Sequence, residues 1–429
     1  MKITLEKPVY GGDCLGRVSN SEDRAGKAIF VPLTLPGEII QAHLTEEKRS
    51  FAKAEIDAIL TASPSRIEAK CPYFGACGGC HYQHADYPTQ LAMKQQILRE
   101  TLTRAGVAFF AEIGQLAADT WAYRNRIRLA LTRDGQLSYR GRRSHDLIPV
   151  DECPIAAPIL FQTAQRVAEF LIQRPSPTPI SELELFANQD QSQLLLTLFC
   201  ENAPATDPQS WLTALQAASP PETAGIRLQL SDGALTPKIF AATGQSSLIY
   251  TAAGFAYRVD HGAFFQVNRW LTDDFVALAV PNHSGELAWD LFAGVGLFAR
   301  QLTPHFALTL AVESAPASFA ALEQNLADIN GRAIASTTLE FLRRNRQERE
   351  PRPDLIVLDP PRAGLGDETT QLLNAIHAPE MVYVSCDSAT LARDLRQLTE
   401  ERYRIESITL VDMFPQTFHM ETVVRLCRT

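Results

Sequence analysis

The stretch GELAWDLFAGVGLFARQL, residues 285–302, decides the fold that we predict for this chain. An apolar strand ends near Phe292, a glycine loop follows at 294–296, and a helical pattern begins at Leu297. Glycines allow the backbone to approach a ligand closely at the carboxyl edge of a sheet, beside a helix N-terminus. The stretch therefore predicts a ligand-binding unit of strand, loop and helix.

Apolar strands alternate with helical patterns from about residue 261 onward, in the stretches GELAWDLF, ALTLAVES, DLIVLDPP and MVYVS. That alternation predicts an α/β domain with a doubly wound, mostly parallel sheet. The first 60 residues carry strand patterns separated by turn residues and predict a small OB-like β-barrel. We therefore expect three domains, at 1–60, 61–260 and 261–429, of which the central one is mixed α+β.

The composition is that of a globular protein, with 429 residues of which 45% are hydrophobic and 21% charged. No apolar run reaches the roughly 20 residues of a membrane span, and residues 1–6 lack the features of a signal peptide. We expect a cytoplasmic protein without a membrane partner, whose clustered cysteines are metal ligands or catalysts rather than disulfides. The net charge of −9 argues only mildly against nucleic acid, because local patches decide such binding.

Two further strand ends supply carboxylates at the predicted carboxyl edge. The strand ALTLAV ends in Glu313, where a carboxylate can accept hydrogen bonds from both ribose hydroxyls. Position 299 is Ala, so the third glycine of a pyrophosphate fingerprint is missing and S-adenosylmethionine is the favoured cofactor. Asp359 follows the strand LIVL in a loop stiffened by two prolines, where it can meet a substrate.

The stretch MVYVSCDSATLARDL, residues 381–395, places Cys386 at another junction of strand and helix. A cysteine in such a place is more often an inert small hydrophobe than a nucleophile. Methylation of uracil at C5, however, requires a thiolate that adds at C6 and a base that then removes the C5 proton. Cys386 and Glu421, which begins the strand TVVRL, can supply both, and we expect the following helix N-terminus to lower the pKa of the thiol.

A second group of cysteines lies in CPYFGACGGC, residues 71–80, with a further one in VDECPIAAP. Three cysteines within ten residues predict a metal site, and the last cysteine precedes a proline, as cluster-ligating cysteines often do. Four thiolates can hold either zinc or an iron–sulfur cluster, so both metals stay open on this evidence. The ligand candidates are Cys71, Cys77, Cys80 and Cys153.

The stretch WAYRNRIRLALTRDGQLSYRGRRSHDL, residues 121–147, concentrates arginines in an otherwise acidic chain. The arginines are interleaved with aromatic residues, which suits phosphate contact and base stacking, although a solvated charged strand is a common alternative. We therefore expect an RNA-facing surface here. Its arginines are Arg124, Arg126, Arg128, Arg133, Arg140, Arg142 and Arg143.

These motifs occur together in one family. The chain resembles the RNA uracil-C5 methyltransferases over essentially its full length, and most closely the iron–sulfur-containing branch that acts on 23S ribosomal RNA. The resemblance rests on GGDCLGRV with LPGEII, which look like a TRAM domain, and on CPYFGACGGCHYQ, FFQVN, DLFAGVG, DPPRAGL, VSCDSATLARDL and FPQTFHMETVVRL. It implies a Rossmann-like class I methyltransferase domain after the barrel and the central domain.

The resemblance also implies roles for individual residues. Cys386 is the implied nucleophile and Glu421 the implied general base. The residues implied to line the S-adenosylmethionine site are Gln266, Phe292, Glu313 and Asp359. The four cysteines of the metal site are implied to ligate a [4Fe-4S] cluster that supports structure and RNA binding. The expected product is 5-methyluridine in 23S rRNA, made by a monomer that flips the uridine out of its stack.

Some positions depart from the family pattern. Ser388 replaces the proline commonly found after the nucleophile, which is expected to loosen this turn by restoring a backbone donor and freedom in φ. Leu297 replaces a polar residue, and the usual acidic or amide residue that contacts adenine is missing near Thr337. These two positions carry no predicted cofactor contact.

Three alternatives compete with this interpretation. The same reaction on transfer RNA is the first, because the catalytic motifs are shared. A cluster-bearing RNA-binding protein without catalysis is the second, and the intact Cys386, Glu421 and Asp359 argue against it. Methylation of an amino group is the third; it requires neither the thiol nor the base, and an aromatic residue usually stands where this chain has Arg362.

Overall fold

The computed structural model describes residues 1–18, 27–132, 134–231, 233–234, 236–280, 283–327, 329–346 and 351–429. Its first layer is a closed barrel of five strands in the order β1-β2-β3-β5-β4. Alternate residues of these strands point inward and form a small core of their own, which is the reason that the strand patterns were visible in the sequence. The strands are β1 (Lys2–Pro8), β2 (Asp13–Val18), β3 (Ala28–Pro32), β4 (Ile39–Glu47) and β5 (Phe51–Thr61).

The central layer is a seven-stranded sheet in the order β13-β12-β11-β10-β7-β8-β9. Two helices cover one of its faces and bury an apolar core. Before and within this layer come α1 (Tyr87–Arg104), β6 (Gly114–Leu116), β7 (Arg126–Leu131), β8 (Leu137–Arg140), β9 (Leu147–Pro149), α2 (Pro158–Gln173), β10 (Ile180–Ala187), β11 (Leu194–Cys200), α3 (Gln209–Ala218), β12 (Thr223–Leu230) and β13 (Ile239–Gly244). A hairpin of β14 (Ser247–Ala252) and β15 (Phe255–Asp260) then leads to the last layer.

The C-terminal layer is an eight-stranded sheet in the order β18-β17-β16-β19-β20-β22-β21-β6. Its first five strands are parallel, and β22 is antiparallel to both of its neighbours. The elements are α4 (Thr272–Ala279), β16 (Gly285–Leu291), α5 (Leu297–Leu302), β17 (Phe306–Glu313), α6 (Pro316–Asn325), β18 (Gly331–Ala335), α7 (Thr338–Asn345), β19 (Leu355–Leu358), α8 (Asp367–Ile376), β20 (Glu380–Ser385), α9 (Ser388–Glu401), β21 (Tyr403–Val411) and β22 (Glu421–Arg428).

The predicted doubly wound, mostly parallel sheet is thus confirmed, because the buried strands β19 and β20 are covered on both faces. One feature was not predicted: β6 pairs with β21 at the edge of this sheet, and α1 packs against α9. The segment from Tyr87 to Leu116 therefore belongs structurally to the C-terminal layer. The domain boundaries at residues 60 and 260 stay predictions.

The helices of this fold are short and amphipathic. Among the helices that the structure describes, none combines the length and the apolar character that crossing a bilayer requires.

Candidate active site and cysteine cavity

The carboxyl edge of the C-terminal sheet begins at the glycine loop after β16. Gly294 and Gly296 have φ of 56° and 88°, which confirms the need for glycine at these positions. Phe292 also has a positive φ, of 65°. Left-handed backbone costs an L-residue about 1–2 kcal/mol, and such strain concentrates at functional sites. No sequence pattern indicated this strain, because Phe is not a residue type that favours positive φ.

Glu313 ends β17, as predicted, and its carboxylate holds the glycine loop. The backbone N–H of Gly294 donates to Oε2 at 2.8 Å, and those of Ser314 and Ala315 donate to Oε1 at 2.7 and 2.6 Å. A carboxylate offers about four acceptor positions. Glu313 therefore keeps a position for a hydroxyl group, such as that of a ribose.

The other predicted cofactor residues line one small cavity beside this loop. Gln266, Phe292 and Asp359 form its wall, and Gln266 Nε2 donates to Asp359 Oδ2 at 3.4 Å. The cavity is small, with a volume of about 30 Å³, and it opens to solvent.

Asp290, the last acid of β16, lies directly beneath the glycine loop and has no predicted role. Its Oδ2 accepts the backbone N–H of Ala299 at 2.7 Å, while Oδ1 is buried without a partner among the described residues. Burial, together with the nearby Asp359 and Glu313, raises the pKa of Asp290 to about 8, although the hydrogen bond from Ala299 opposes the rise. An acid that is protonated near neutral pH thus supports the cofactor edge.

Sheet register brings Cys386 and Glu421 together. Strands β20 and β22 are antiparallel neighbours in which Ser385 pairs with Thr422. The next residue after Ser385 therefore faces the residue before Thr422, so Cys386 and Glu421 lie opposite each other. Asp359 follows β19, the parallel neighbour of β20 on its other side. Two carboxylates and one thiol consequently meet at one edge of the sheet.

Burial raises the pKa of each of these three groups. Burial raises the pKa of Asp359 to about 7, and burial together with the Asp359 charge raises the pKa of Glu421 well above its usual range. Glu421 is 4% exposed, and its Oε1 has no hydrogen-bond partner among the described residues. A buried carboxyl group with an unpartnered oxygen and a raised pKa marks a candidate functional site.

The expected lowering of the pKa of Cys386 is wrong. Burial is the main cause that raises the pKa of this thiol to about 12. Glu421 and Asp359 contribute to the rise, whereas Arg362 opposes it. The helix N-terminus does not compensate, because the first N–H groups of α9 are already occupied: Ala389 and Thr390 both donate to Asp387 Oδ1 at 3.0 Å.

The turn after Cys386 is nevertheless well held without the family's proline. Asp387 caps α9, its backbone N–H donates to Ser385 Oγ at 3.3 Å, and Tyr10 of the barrel donates to its Oδ2 at 3.1 Å. Tyr10 is a residue that the sequence analysis missed, because it comes from a different domain.

A cluster of aromatic side chains covers the edge of the sheet where Cys386 lies. Phe418 packs edge-on against Tyr10 and His81, with ring centroids 5.4 and 4.6 Å apart, and His419 lies 4.1 Å from Phe418. Arg362 approaches His419 Nδ1 at 3.5 Å. The cover therefore joins the barrel, the cysteine loop and the loop before Glu421.

The loop between β21 and Glu421 is fixed by buried polar contacts with α1. Lys94 is fully buried and donates to Asp412 Oδ1 at 2.5 Å and to the Phe414 carbonyl at 3.0 Å. Tyr87 donates to the other carboxylate oxygen of Asp412 at 2.8 Å. No sequence pattern indicated this ion pair, because its partners are far apart along the chain.

The four cysteines of the predicted metal site line one cavity of about 340 Å³ together with Arg124 and Tyr139. Burial raises the pKa of each thiol, in the case of Cys80 to about 12. Within the described ranges no group of three or more His, Cys, Asp or Glu side chains is placed to hold a metal ion. The four thiols form an all-sulfur set on the wall of one cavity.

The predicted basic hairpin is formed by β7 and β8, and Arg124, Arg126 and Arg128 all line the cysteine cavity. Their charges are partly compensated: Arg128 contacts Glu182 at 2.5 Å, and Arg126 contacts Glu184 at 3.7 Å. No sequence pattern indicated these acids, because they lie on β10, which is far from β7 along the chain and pairs with it only in the folded sheet. Arg133 lies outside the described residues.

The chain is similar in sequence to two known families and to several known proteins. The family described as tRNA (Uracil-5-)-methyltransferase matches residues 86–429, and the TRAM domain matches residues 1–56. A 23S rRNA (uracil(1939)-C(5))-methyltransferase RlmD from Shewanella amazonensis is 33% identical over 411 residues, covering 93% of this chain and 90% of the relative. An uncharacterized RNA methyltransferase from Aquifex aeolicus is 31% identical over 436 residues, covering 99% of this chain and 98% of the relative.

A solved structure shares the fold. The tRNA (uracil-54, C5)-methyltransferase of Pyrococcus abyssi in complex with S-adenosyl-L-homocysteine superposes with a TM-score of 0.76 at 22% identity, covering 99% of this chain and all of that one. This similarity confirms the class I methyltransferase fold. Because the family match extends over most of the chain, the protein belongs to the tRNA (uracil-5-)-methyltransferase family of RNA-methylating enzymes and carries a TRAM domain at residues 1–56.

Proposed function

We propose that the protein transfers a methyl group from S-adenosylmethionine to C5 of a uridine in 23S ribosomal RNA. The observation that carries this proposal is the register that sets Cys386 opposite Glu421, with Asp359 at the same edge. Family membership supplies the reaction class, and the relatives named RlmD support 23S rRNA as the substrate.

Cys386 acts as the nucleophile in this proposal. Its thiol transfers its proton to solvent water, which the positive charge of Arg362 favours, and the thiolate sulfur adds to C6 of the uracil. Electron density then reaches C5, which becomes able to accept a methyl group. Glu421 finally removes the C5 proton, so that the electron pair of the C–H bond restores the ring double bond and expels the sulfur.

S-adenosylmethionine supplies an electrophilic methyl group on a sulfonium. Glu313 is proposed to bind the ribose through one hydroxyl at its remaining acceptor position, and Gln266, Phe292 and Asp359 are proposed to line the site. Support comes from the acceptor position left on Glu313 and from the shared cavity of the other three residues. Asp359 also lies beside Glu421, which supports a second contact with the target base.

A [4Fe-4S] cluster is proposed to be held by Cys71, Cys77, Cys80 and Cys153. The support is the common cavity and the all-thiol donor set, since buried thiolates require compensating positive charge. The cluster would hold the cysteine loop against the central sheet and would take no part in redox chemistry.

Transfer RNA is the alternative substrate, because the family description names it. A 5-fluorouridine-substituted RNA decides both substrate and nucleophile. Fluorine at C5 cannot leave as a proton, so incubation with S-adenosylmethionine should trap a covalent adduct on 23S rRNA fragments and not on tRNA. An adduct that persists in Cys386→Ala would overturn the nucleophile assignment, and an adduct on tRNA alone would move the substrate.

Glu421→Gln tests the second half of the reaction. Elimination needs the base, so this variant should accumulate adduct on ordinary uridine while methyl transfer to the trapped base proceeds. Mass spectrometry of the protein–RNA adduct measures this. Rapid release of 5-methyluridine by Glu421→Gln would exclude Glu421 as the base.

The cluster has its own test. Anaerobically purified protein should be brown and contain iron and acid-labile sulfide in nearly equal amounts. A colourless protein that contains zinc would refute the cluster. Replacement of Cys427, which bonds Glu406 at 3.2 Å on another face, should leave the iron content unchanged.

A further inference from the structure

The central sheet has one apolar and one polar face. Its apolar face carries residues such as Leu185, Leu196 and Leu228, which pack under α2 and α3. On the opposite face a polar row crosses four neighbouring strands: the register pairs Arg128 with Glu184, Glu184 with Thr197 and Thr197 with Arg227. A half-buried polar row on a central sheet calls for an explanation other than core packing.

A cavity of about 280 Å³ lies over one end of this row. Arg227, Gln229 and His261 are among its walls. Gln229 is 6% exposed, and its Oε1 has no hydrogen-bond partner among the described residues; the same holds for the buried Nε of Arg227. Because buried polar atoms are nearly always hydrogen-bonded, these two atoms indicate a ligand.

Arg128 and Arg227 are the cations on the cavity wall, which the carboxylate of Glu184 also lines. Arg128 is paired with Glu182. The carboxylates nearest to Arg227, Glu184 and Asp260, contact other arginines, Arg126 and Arg258. His261 does not add charge, because burial and the neighbouring arginines lower its pKa to about 3. A guanidinium without a carboxylate of its own is suited to a phosphate.

The position of the cavity relates it to the reaction. His261 and Gly262 line it and directly precede the segment of Phe264 and Gln266 that lines the cofactor cavity. Arg128 lines both this cavity and the cysteine cavity. The cavity therefore shares a wall residue with the cysteine cavity and is connected through residues 261–266 to the cofactor cavity.

We propose that this cavity binds one nucleotide of the RNA outside the target uridine, with its phosphate on Arg227 and its base or sugar on Gln229. The proposal rests on the proposed function, since it requires an RNA substrate. It assigns the polar face of the central sheet a contact that contributes to the choice of RNA.

Salt-dependent binding tests the proposal. The dissociation constant of an unmodified 23S rRNA transcript is measured over a series of KCl concentrations for the wild type, Arg227→Met, Arg227→Lys and Gln229→Met. Arg227→Met should weaken binding by about tenfold and reduce the slope of log K against log salt by roughly 0.7 to 1, which is the loss of one phosphate contact. Arg227→Lys should keep the slope, and Gln229→Met should weaken binding without changing it.

Arg166→Met is the matched control, because Arg166 is 67% exposed on α2, which covers the other face of the sheet. It removes the same charge and should leave affinity and slope unchanged. Binding of S-adenosylhomocysteine and the thermal midpoint report whether each variant is folded.

Three outcomes would count against the proposals in different ways. If the wild type methylates the transcript while Arg227→Met binds with unchanged affinity and slope, the nucleotide site is refuted and the proposed function stands. The nucleotide site would also be refuted if Arg227→Lys reduced the salt slope as much as Arg227→Met does. If the wild type neither binds nor methylates 23S rRNA or tRNA, the proposed function fails first.

Discussion

Two groups of thiols in this protein share burial but differ in their surroundings. Cys386 faces two carboxylates, Glu421 and Asp359, whereas the cysteines of the 340 Å³ cavity face one another. In both places burial raises the pKa of the thiol, so neither place stabilises a thiolate by itself.

The two places differ in the positively charged group that can lie beside their thiols. The cavity thiols line the proposed site of a resident metal group, and once ligated they would be inert. Cys386 lies near the positive charge of Arg362 and the proposed site of a sulfonium cofactor. The comparison teaches that a thiol becomes a ligand or a nucleophile through its neighbours, since its own burial is similar.

The two places are also linked. The backbone N–H groups of His81 and Tyr82, which follow Cys80, donate to the Gln416 carbonyl at 2.8 and 2.9 Å. Gln416 belongs to the loop that leads to Glu421, and Gln90 bonds it from α1. A change at the cysteine loop can therefore reach the proposed base through hydrogen bonds.

The largest expected effect separates the two thiol groups directly. Cys386→Ala should reduce methyl transfer by roughly 10⁴-fold or more, because no other group can activate C5. Cys80→Ala should cost much less, since the register of Cys386 and Glu421 does not depend on it. Incorporation of labelled methyl groups into RNA measures both, with Cys427→Ala as the control. Equal losses in the two variants would remove the distinction.

The buried ion pair that holds the loop before Glu421 is tested by Lys94→Met. This substitution leaves Asp412 buried and unpaired, so unfolding free energy should fall by about 3–5 kcal/mol. The double variant Lys94→Met/Asp412→Leu should recover most of that loss, because both charges are then gone. Urea denaturation measures the two changes. A loss below about 1 kcal/mol in the single variant would contradict the importance of this pair.

A smaller, pH-dependent effect is expected at Asp290. Its pKa is about 8 in the folded protein and about 3.9 in an unfolded chain. Between these values the folded state binds one more proton, so stability falls as pH rises, by about 1.4 kcal/mol per pH unit.

Asp290→Asn removes this slope and should therefore gain stability relative to the wild type between pH 5 and pH 7. Urea denaturation at three pH values measures the gain. The exposed Asp274→Asn serves as the control and should leave the slope as it is. A parallel pH dependence of wild type and Asp290→Asn would show that Asp290 is ionised throughout.

The smallest effect concerns the contact between the barrel and the nucleophile turn. Tyr10→Phe removes the hydrogen bond to Asp387 but keeps the ring against Phe418, so we expect a loss of about 1 kcal/mol in stability. Turnover should fall only a few-fold, as measured by initial rates. A loss of turnover as large as that of Cys386→Ala would give Tyr10 a direct role in the reaction.

The positions of single residues in local elements were predictable from the sequence. The glycine loop, Glu313 at the end of β17, Cys386 between β20 and α9, and Glu421 at the start of β22 follow from short patterns of apolar residues, glycines and caps. Such patterns are local, because strand and helix periods are visible within a few residues.

Residues that act from a distance were not predictable. Tyr10, Glu182 and Lys94 approach the two thiol sites from other elements, and their spacing in the sequence carries no sign of it. The polar row that ends at Arg227 depends in the same way on the order of strands in the central sheet.

The sequence by itself determined the fold class and the kind of chemistry, because hydrophobic periodicity sets the elements and residue type sets the available nucleophiles and bases. Only the tertiary structure decided the ionisation of those groups. The pKa of Cys386 was expected to fall and instead rises, because a pKa depends on burial and on charges brought close by strand register, and the buried carboxylates outweigh a helix end that Asp387 already caps.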